Sequence, residues 1–429
     1  MVGNLIWLLI DRGVRIFTDI LLGAFVARTL GTTDFGSLTY AYAFAMLAYP
    51  VAMLGLDTHV IQLLVRGESR ERVLGTTFIL KLSAGAIAFV ACAGIAALIH
   101  RDDPSSLLIV VIASTSLMFK SLEVIDLYFQ SRLEANRLIA ARAAAATIAA
   151  AIKIAFLYMD PNVYYIAIVT SCEILLTGFF ALGLMQRAEL GIRKWQFDFE
   201  LARSMLARRL PVMLSAIFVS AYVRAGPLLL RWMSGTHEAG IYGAAYRLME
   251  VAYFLPTAIV SSLTPLLVNA HRKSERQFEE TFLAVTTMLT WIGIILAAVL
   301  ALLSDTIILR LYSSEFAASS ATFAILLLTF PFVFAAAANN VWFTLSNEEL
   351  SQFLRVLIAA VACIAVTALL IPRFGARGAA YAMVMTQVLA VLILNLWSPK
   401  TRLIAKRFLQ SLSPRGFVAV FKIFVTRST

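Results

Sequence analysis

Apolar residues in this chain neither alternate nor recur on a single helical face; they run on. Stretches of roughly 20 residues, the length that crosses a hydrocarbon core, follow one another with short polar breaks between them. Lipid offers the backbone no hydrogen-bond partner, so a crossing segment must be a helix or part of a closed barrel. The runs are too long and continuous for barrel strands. They predict about twelve membrane-spanning helices, at 5–28, 37–58, 74–99, 106–127, 140–158, 163–185, 210–232, 240–267, 282–303, 318–343, 353–371 and 378–397.

The polar breaks are asymmetric. One set of loops carries Arg66, Arg70, Arg72, Arg132, Arg137, Arg142, Arg187, Arg193, Lys194, Arg203, Arg208, Arg209, Arg272, Lys273 and Arg276. The tail adds Lys400, Arg402, Lys406, Arg407, Arg415, Lys422 and Arg427. The alternate loops hold Arg101, Arg310, Arg373 and Arg377. This bias places the basic loops and both termini in the cytoplasm, as an even number of spans requires.

Composition agrees: 61% of residues are hydrophobic and 14% charged, against about 25% charged in soluble domains. The net charge of +11 is spread over loops beside lipid, where anionic headgroups attract it; no nucleic-acid partner is expected. Cys92, Cys172 and Cys363 fall inside apolar runs without metal-ligand or disulfide spacing. No P-loop, His-Glu-x-x-His or Gly-x-Ser-x-Gly motif is present, and the four histidines are scattered. An enzyme is not expected, nor a cofactor beyond a coupling H+ or Na+. The first run carries Asp11 and Arg12 in place of a clean signal-peptide core, so it is expected to remain as the first helix.

A short motif recurs. Leu30-Gly31-Thr32-Thr33-Asp34-Phe35-Gly36 follows the first run, and Ser234-Gly235-Thr236-His237-Glu238-Ala239-Gly240 the seventh. Each is x-Gly-Thr-x-acid-x-Gly, with glycine for a tight turn and a carboxylate near a helix start. The repeat implies two six-helix lobes in the same orientation: residues 1–186, a cytoplasmic linker 187–209, residues 210–397, and a basic tail 398–429. Apolar positions such as Phe417, Phe421 and Phe424 predict an amphipathic tail on the membrane surface.

Fourteen charges lie inside the predicted spans: Arg12, Arg15, Lys81, Lys120, Lys153, Arg224 and Arg247 against Asp11, Asp19, Asp57, Glu123, Asp126, Glu173 and Glu250. A charge at the bilayer centre costs on the order of 3 kcal/mol or more unless it meets a partner or water. The pattern therefore predicts a polar cavity. Asp11, Arg15 and Asp19 stack at i, i+4, i+8, with Arg12 beside them. Such a ladder either holds helices in register or lines the cavity. Arg224 has no acid within four residues and sits near Gly226 and Pro227. Arg247 and Glu250 are bracketed by Tyr246 and Tyr253, and Lys120, Glu123 and Asp126 precede Gln130. Lys81, Asp57 and Lys153 fall near span ends, where long side chains snorkel to the interface. Pro50, Pro211, Pro256, Pro265 and Pro331 are static kinks or hinges.

The segment from Asn4-Leu5-Ile6-Trp7 through Asp11, Arg15, Val26-Ala27-Arg28-Thr29-Leu30-Gly31, Asp34-Phe35-Gly36 and Gly55-Leu56 resembles the amino-terminal signature of bacterial oligosaccharide flippases. Phe129-Gln130 and the turn Pro372…Gly375…Gly378-Ala379-Ala380 fit the same group, the O-antigen and exopolysaccharide exporters. These belong to the multidrug/oligosaccharidyl-lipid/polysaccharide exporter superfamily. The resemblance implies an all-α polytopic protein of V-shaped exporter architecture in the bacterial inner membrane. It implies movement of an undecaprenyl-diphosphate-linked oligosaccharide from inner to outer leaflet by alternating access, coupled to an ion or the membrane potential. Membrane lipids and a polysaccharide polymerase are the implied partners. On this reading Arg12, Arg15, Lys120, Arg224 and Arg247 meet the diphosphate, for which the arginine fork is suited. Asp19, Glu123 and Glu250 are the coupling candidates. The alternatives are a cation-coupled multidrug antiporter of the same superfamily and a lipid II flippase with about two further spans.

Overall fold

The computed structural model is all-α; among the described residues no strand occurs. The structure describes the backbone of residues 2–132, 134, 137–187, 191–346 and 348–413, and their side chains except at 2–17, 187, 208–212, 215, 349 and 350. The chain divides into two compact units, Met1–Arg231 and Trp232–Thr429.

The first unit contains α1 (Val2–Met53), α2 (Asp57–Val65), α3 (Arg70–Ile99), α4 (Pro104–Phe119), α5 (Val124–Ser131), α6 (Arg137–Met159), α7 (Val163–Arg187) and nearly all of α8 (Phe199–Met233). The second contains α9 (Thr236–Ala252), α10 (Phe254–Lys273), α11 (Glu275–Leu302), α12 (Ser304–Leu311), α13 (Ala318–Leu327), α14 (Phe330–Leu345), α15 (Glu349–Val388), α16 (Leu394–Leu396) and α17 (Arg402–Ser411).

Helix ends follow local chemistry. Asp103 caps α4 by accepting from Ser106 N at 3.1 Å, with Pro104 in the first turn, where its missing N–H costs nothing. Ser274 caps α11 by accepting from Gln277 N at 3.2 Å. His271, Arg272 and Lys273 close α10 at the negative end of its dipole.

Nine stretches among the described residues are long and apolar enough to cross a membrane, against about twelve expected. Merged helices account for part of the difference. The stretches at Thr18–Val65 and Ser351–Leu396 each contain two helices joined at a glycine with positive φ, Gly31 and Gly375. The seventh expected span falls on α8, where the side chains at 208–212 and 215 lie outside the described residues. Large apolar side chains such as Ile87, Val90, Val361 and Leu369 point outward, as lipid-facing residues do in a multi-pass membrane protein. Inside the first unit, small residues bring helices close: Ala41 and Ala45 of α1 pack with Ala88 and Ala96 of α3 and Ala113 of α4 around Tyr40 and Phe44.

The sequence places the divide between halves in the 187–209 loop; the first compact unit runs on through Arg231. Helix α8 packs within the first unit. Its Met205 is buried among Leu56, Val60, Val73 and Leu127, and Ser220 Oγ donates to Met46 O at 2.7 Å. The loop before α8 is bound along α3. Gln196 N donates to Glu71 O at 3.0 Å, Asp198 N to Thr76 Oγ1 at 3.0 Å, and Trp195 meets Phe78 edge-on at 5.3 Å.

The start of the basic tail also folds onto its unit. Helix α17 buries Ile404, Ala405 and Phe408; Phe408 stacks on Phe332 at 5.3 Å, and Trp291 Nε1 donates to Ser411 O at 3.0 Å. The apolar face of this part therefore meets protein rather than the membrane surface. Phe417, Phe421 and Phe424 lie outside the described residues.

Candidate functional site

Two helices of the first unit break beside one another. The second arm of α1 contains Pro50 and ends at Leu54 and Gly55, with φ of 55° and 63°. Leu54 is the one non-glycine residue with positive φ among the described residues, a conformation that costs on the order of 1–3 kcal/mol. The path of α4 tightens into a 3₁₀ turn at Lys120–Glu123 before continuing as α5. Lys120 Nζ lies 5.3 Å from the Tyr49 ring centroid, joining the two breaks. Broken helices expose backbone polar groups, and in membrane bundles they are confined to protein interiors or water-lined cavities.

Charge gathers there. Lys120 Nζ donates to Glu123 Oε1 at 2.5 Å, across one turn. Asp57, in the first turn of α2, accepts from Lys81 of α3 at 2.6 Å. Both Glu123 and Asp57 act electrostatically on Tyr49. Asp126 of α5 pairs with Arg142 of α6. A fourth pair sits between α6 and α7, where Lys153 Nζ donates to Glu173 Oε2 at 2.9 Å. Ala141, Ala145, Ala149 and Lys153 fall on the buried face of α6 at four-residue intervals; the alanines let the neighbouring helix approach.

For the two lysines these pairs correct the expectation that Lys81, Asp57 and Lys153 snorkel; the Asp57 side chain stays 47% exposed. The Lys81 side chain is 0% exposed and that of Lys153 8%. Each ends on a carboxylate of a neighbouring helix rather than at an interface. Distance from a span's end predicts reach toward water, but it carries no information about an acid on the next helix.

The predicted site residues divide between the units. Arg12, Arg15, Asp19, Lys120, Glu123 and Arg224 belong to the first; Arg247 and Glu250 belong to the second. The side chains of Arg12 and Arg15 lie outside the described residues. Asp19 is exposed, and Arg224 is half-buried on α8 beside buried Ala225, Gly226 and Pro227. Within the second unit, Arg247 is half-buried and Glu250 exposed. Arg247 acts on Tyr312, whose hydroxyl burial pushes up to about 12 while the guanidinium pulls the other way. Sequence reasoning grouped Lys120 with Glu123, assigned Asp57 and Lys81 to span ends, and missed Tyr49. Pro50 and Gly55, flanking the break in an otherwise apolar run, were the available signal.

Two polar clusters lie in turns. Arg231 Nη2 donates to Asp103 Oδ2 at 2.8 Å and to Ser106 Oγ at 3.0 Å. The Ser106 hydroxyl and amide, with Arg231, hold the Asp103 carboxyl below its usual range. His100 lies beside them, 2.8 Å from the Tyr40 hydroxyl. Burial lowers its pKa and Arg231 lowers it further, against the opposing pull of Asp103. In the second unit, Glu238 Oε2 accepts from Ala376 N at 2.6 Å. This fixes the α15 bend at Gly375 and gives the acid of the repeated motif a structural role.

The fold is shared with solved transporters of the multidrug/oligosaccharidyl-lipid/polysaccharide exporter superfamily. An inward-facing multidrug resistance MATE family transporter of this superfamily superposes with a TM-score of 0.72, at 12% identity over 92% of this chain and 96% of that one. Lipid II flippase MurJ in an inward closed conformation gives 0.66, at 16% identity over 100% and 94%. A superfamily transporter from Pyrococcus furiosus, whose binding pocket is described as reversed in polarity, gives 0.63, at 14% identity over 96% of each chain. A search of curated proteins finds no match to the sequence. The family model described as polysaccharide biosynthesis protein matches residues 25–321. The chain belongs to that family.

Proposed function

We propose that the protein flips an undecaprenyl-diphosphate-linked oligosaccharide, a repeat unit of O-antigen or exopolysaccharide, from the inner to the outer leaflet of the bacterial inner membrane. The observation that carries this reading is the set of four base–carboxylate pairs among apolar helices of the first unit, in a chain of the polysaccharide biosynthesis family. A membrane protein of purely structural purpose has no use for such a polar interior. Sugars need a wet passage, a diphosphate needs cations, and the polyprenyl tail can stay in lipid.

Arg12, Arg15, Arg224 and Arg247 are the proposed diphosphate contacts, because a planar guanidinium can hold two phosphate oxygens at once. Lys120 stands behind them, held by Glu123 until an anion or a proton competes. Asp19, Glu123 and Glu250 are the proposed coupling acids for H+ or Na+. Alternating access moves the cargo, with both termini cytoplasmic and a polysaccharide polymerase receiving the product. The test is export in cells. Arg224→Ala at normal protein level should abolish surface glycan, and Arg224→Lys should restore only part of it. Unchanged surface glycan in the alanine variant removes Arg224 from the site.

The likeness to a MATE transporter supports a second reading, cation-coupled multidrug antiport. That activity would depend on acids such as Asp19 and tolerate loss of Arg224.

A further inference from the structure

The second unit carries a cavity of about 1380 Å³ that the transport reading does not use. It lies between α17 and the junction of α10 with α11, with Phe278, Trp342 and Leu403 among its apolar lining. Charge is distributed unevenly around it. Lys400, Arg402 and Lys406 line one side; Glu275 and Glu279 belong to the start of α11.

Some of these charges are already matched. Lys400 Nζ donates to Glu348 Oε1 at 2.6 Å, and Glu279 accepts from Arg407. Among the described residues Arg402 donates through Nε, to Leu396 O at 2.9 Å, and through neither Nη. Lys406 and Glu275 are exposed, and neither forms a salt bridge among the described residues. The cavity therefore offers two cations on one wall and a carboxylate on another. Leu396 and Trp397, 51% and 76% exposed, stand at the adjoining end of α16. Exposed tryptophan beside basic residues is the pattern of a bilayer interface. Helix α17 docks on its unit through Phe408, stacked on Phe332, and Ser411 O, which accepts from Trp291 Nε1, and its Arg402 and Lys406 line this space.

We propose that this groove binds a zwitterionic phospholipid headgroup with a primary ammonium, phosphoethanolamine, drawn from the leaflet on the basic-loop side. The phosphate meets Arg402 and Lys406, and the ammonium meets Glu275. Both signs of charge are needed. An anionic headgroup uses only the basic wall and is repelled by Glu275. A choline headgroup has no N–H to donate to the carboxylate. The acyl chains leave past Leu396 and Trp397. The site is independent of the identity of the cargo, so it stands or falls apart from the transport reading.

The test uses the full chain in nanodiscs containing equal parts of phosphatidylethanolamine, phosphatidylcholine and phosphatidylglycerol with matched acyl chains. Lipids retained after extraction are counted by native mass spectrometry. The expected result is at least about fivefold enrichment of phosphatidylethanolamine, lost in the Arg402→Ala/Lys406→Ala double variant and kept in Arg402→Lys/Lys406→Arg. Glu275→Gln should erase the preference over phosphatidylglycerol. Unchanged melting temperature in lipid-free detergent verifies folding of each variant. Soluble phosphoethanolamine at millimolar concentration should not compete, since it lacks the chains. Equal retention of the three lipids, a preference for phosphatidylglycerol, or enrichment that survives the double alanine variant overturns the proposal.

Discussion

Gly31 and Gly235 share one backbone conformation, φ 76°, ψ 175° and φ 92°, ψ 178°. This region is open essentially to glycine alone. Each stands at the same place in the repeated x-Gly-Thr-x-acid-x-Gly motif, and each turns the chain into the next helix. A Cβ at Gly235 would meet nothing within 4 Å, so the demand there is conformational and not steric. Gly31→Ala and Gly235→Ala should each destabilise the protein by about 1–3 kcal/mol, read as a lowered melting temperature in detergent. An unchanged melting temperature for Gly235→Ala would deny that the turn is strained for other residues.

Glu238, three residues past Gly235, meets the bend of α15 at Gly375. A Cβ on Gly375 would fall on Glu238 Oε2, and the same oxygen takes the Ala376 amide. Glu238→Ala should cost about 1–3 kcal/mol for the stranded amide, and Glu238→Gln should recover most of it. The two substitutions Glu238→Ala and Gly375→Ala should be less than additive in a double-mutant cycle, because the first removes the group the second collides with.

Lys81 and Asp57 test the pairing inside the first unit. Asp57→Asn leaves the buried ammonium of Lys81 without its counterion and should cost about 1–3 kcal/mol, because the half-exposed Asp57 end of the pair is screened by solvent. Lys81→Met/Asp57→Asn should regain much of the loss, since methionine fills the space without a charge. Thermal unfolding of the three variants checks this. A double variant no better than Asp57→Asn would mean the pair is not what holds α2 to α3.

His100 gives the fold a pH dependence of defined sign. Its folded-state pKa is lowered, chiefly by burial, so the unfolded chain binds more protons near neutrality and below. Stability should fall as pH drops from about 6.5, the ordinary histidine value, through the lower folded-state value. Asp103, held below its ordinary value, acts only at more acid pH: its contribution is complete above about 4 and disappears below that. His100→Gln should flatten the melting temperature between pH 7 and 5. An equal slope in that variant would assign the dependence to another group.

The fold was legible because apolar runs of span length leave helices as the one solution in lipid, and because a glycine motif repeats visibly. What the sequence hid was lateral. Lys153 and Glu173 are 20 residues apart in the chain, and nothing in either run says that the alanine face of α6 brings them together. Lys81 was judged by its distance from a span end, while its partner Asp57 sits across a helix break. Basic residues interleaved with apolar ones in the tail predict a surface segment; the spacing of Ile404, Ala405 and Phe408 is the sign that α17 docks. Arg224 could be placed on a helix but not against a ligand, because cargo contacts depend on how side chains from several helices converge.

The most direct test is flipping by the purified protein. The full chain is reconstituted in vesicles with undecaprenyl-diphosphate oligosaccharide labelled on its sugar, and movement is read by protection from an added glycosidase. The account predicts protein-dependent, two-leaflet redistribution of the labelled lipid, lost with Arg224→Ala and insensitive to cationic dyes. Redistribution no faster than in empty vesicles, with ion-driven efflux of cationic dyes from the same preparation, would contradict it.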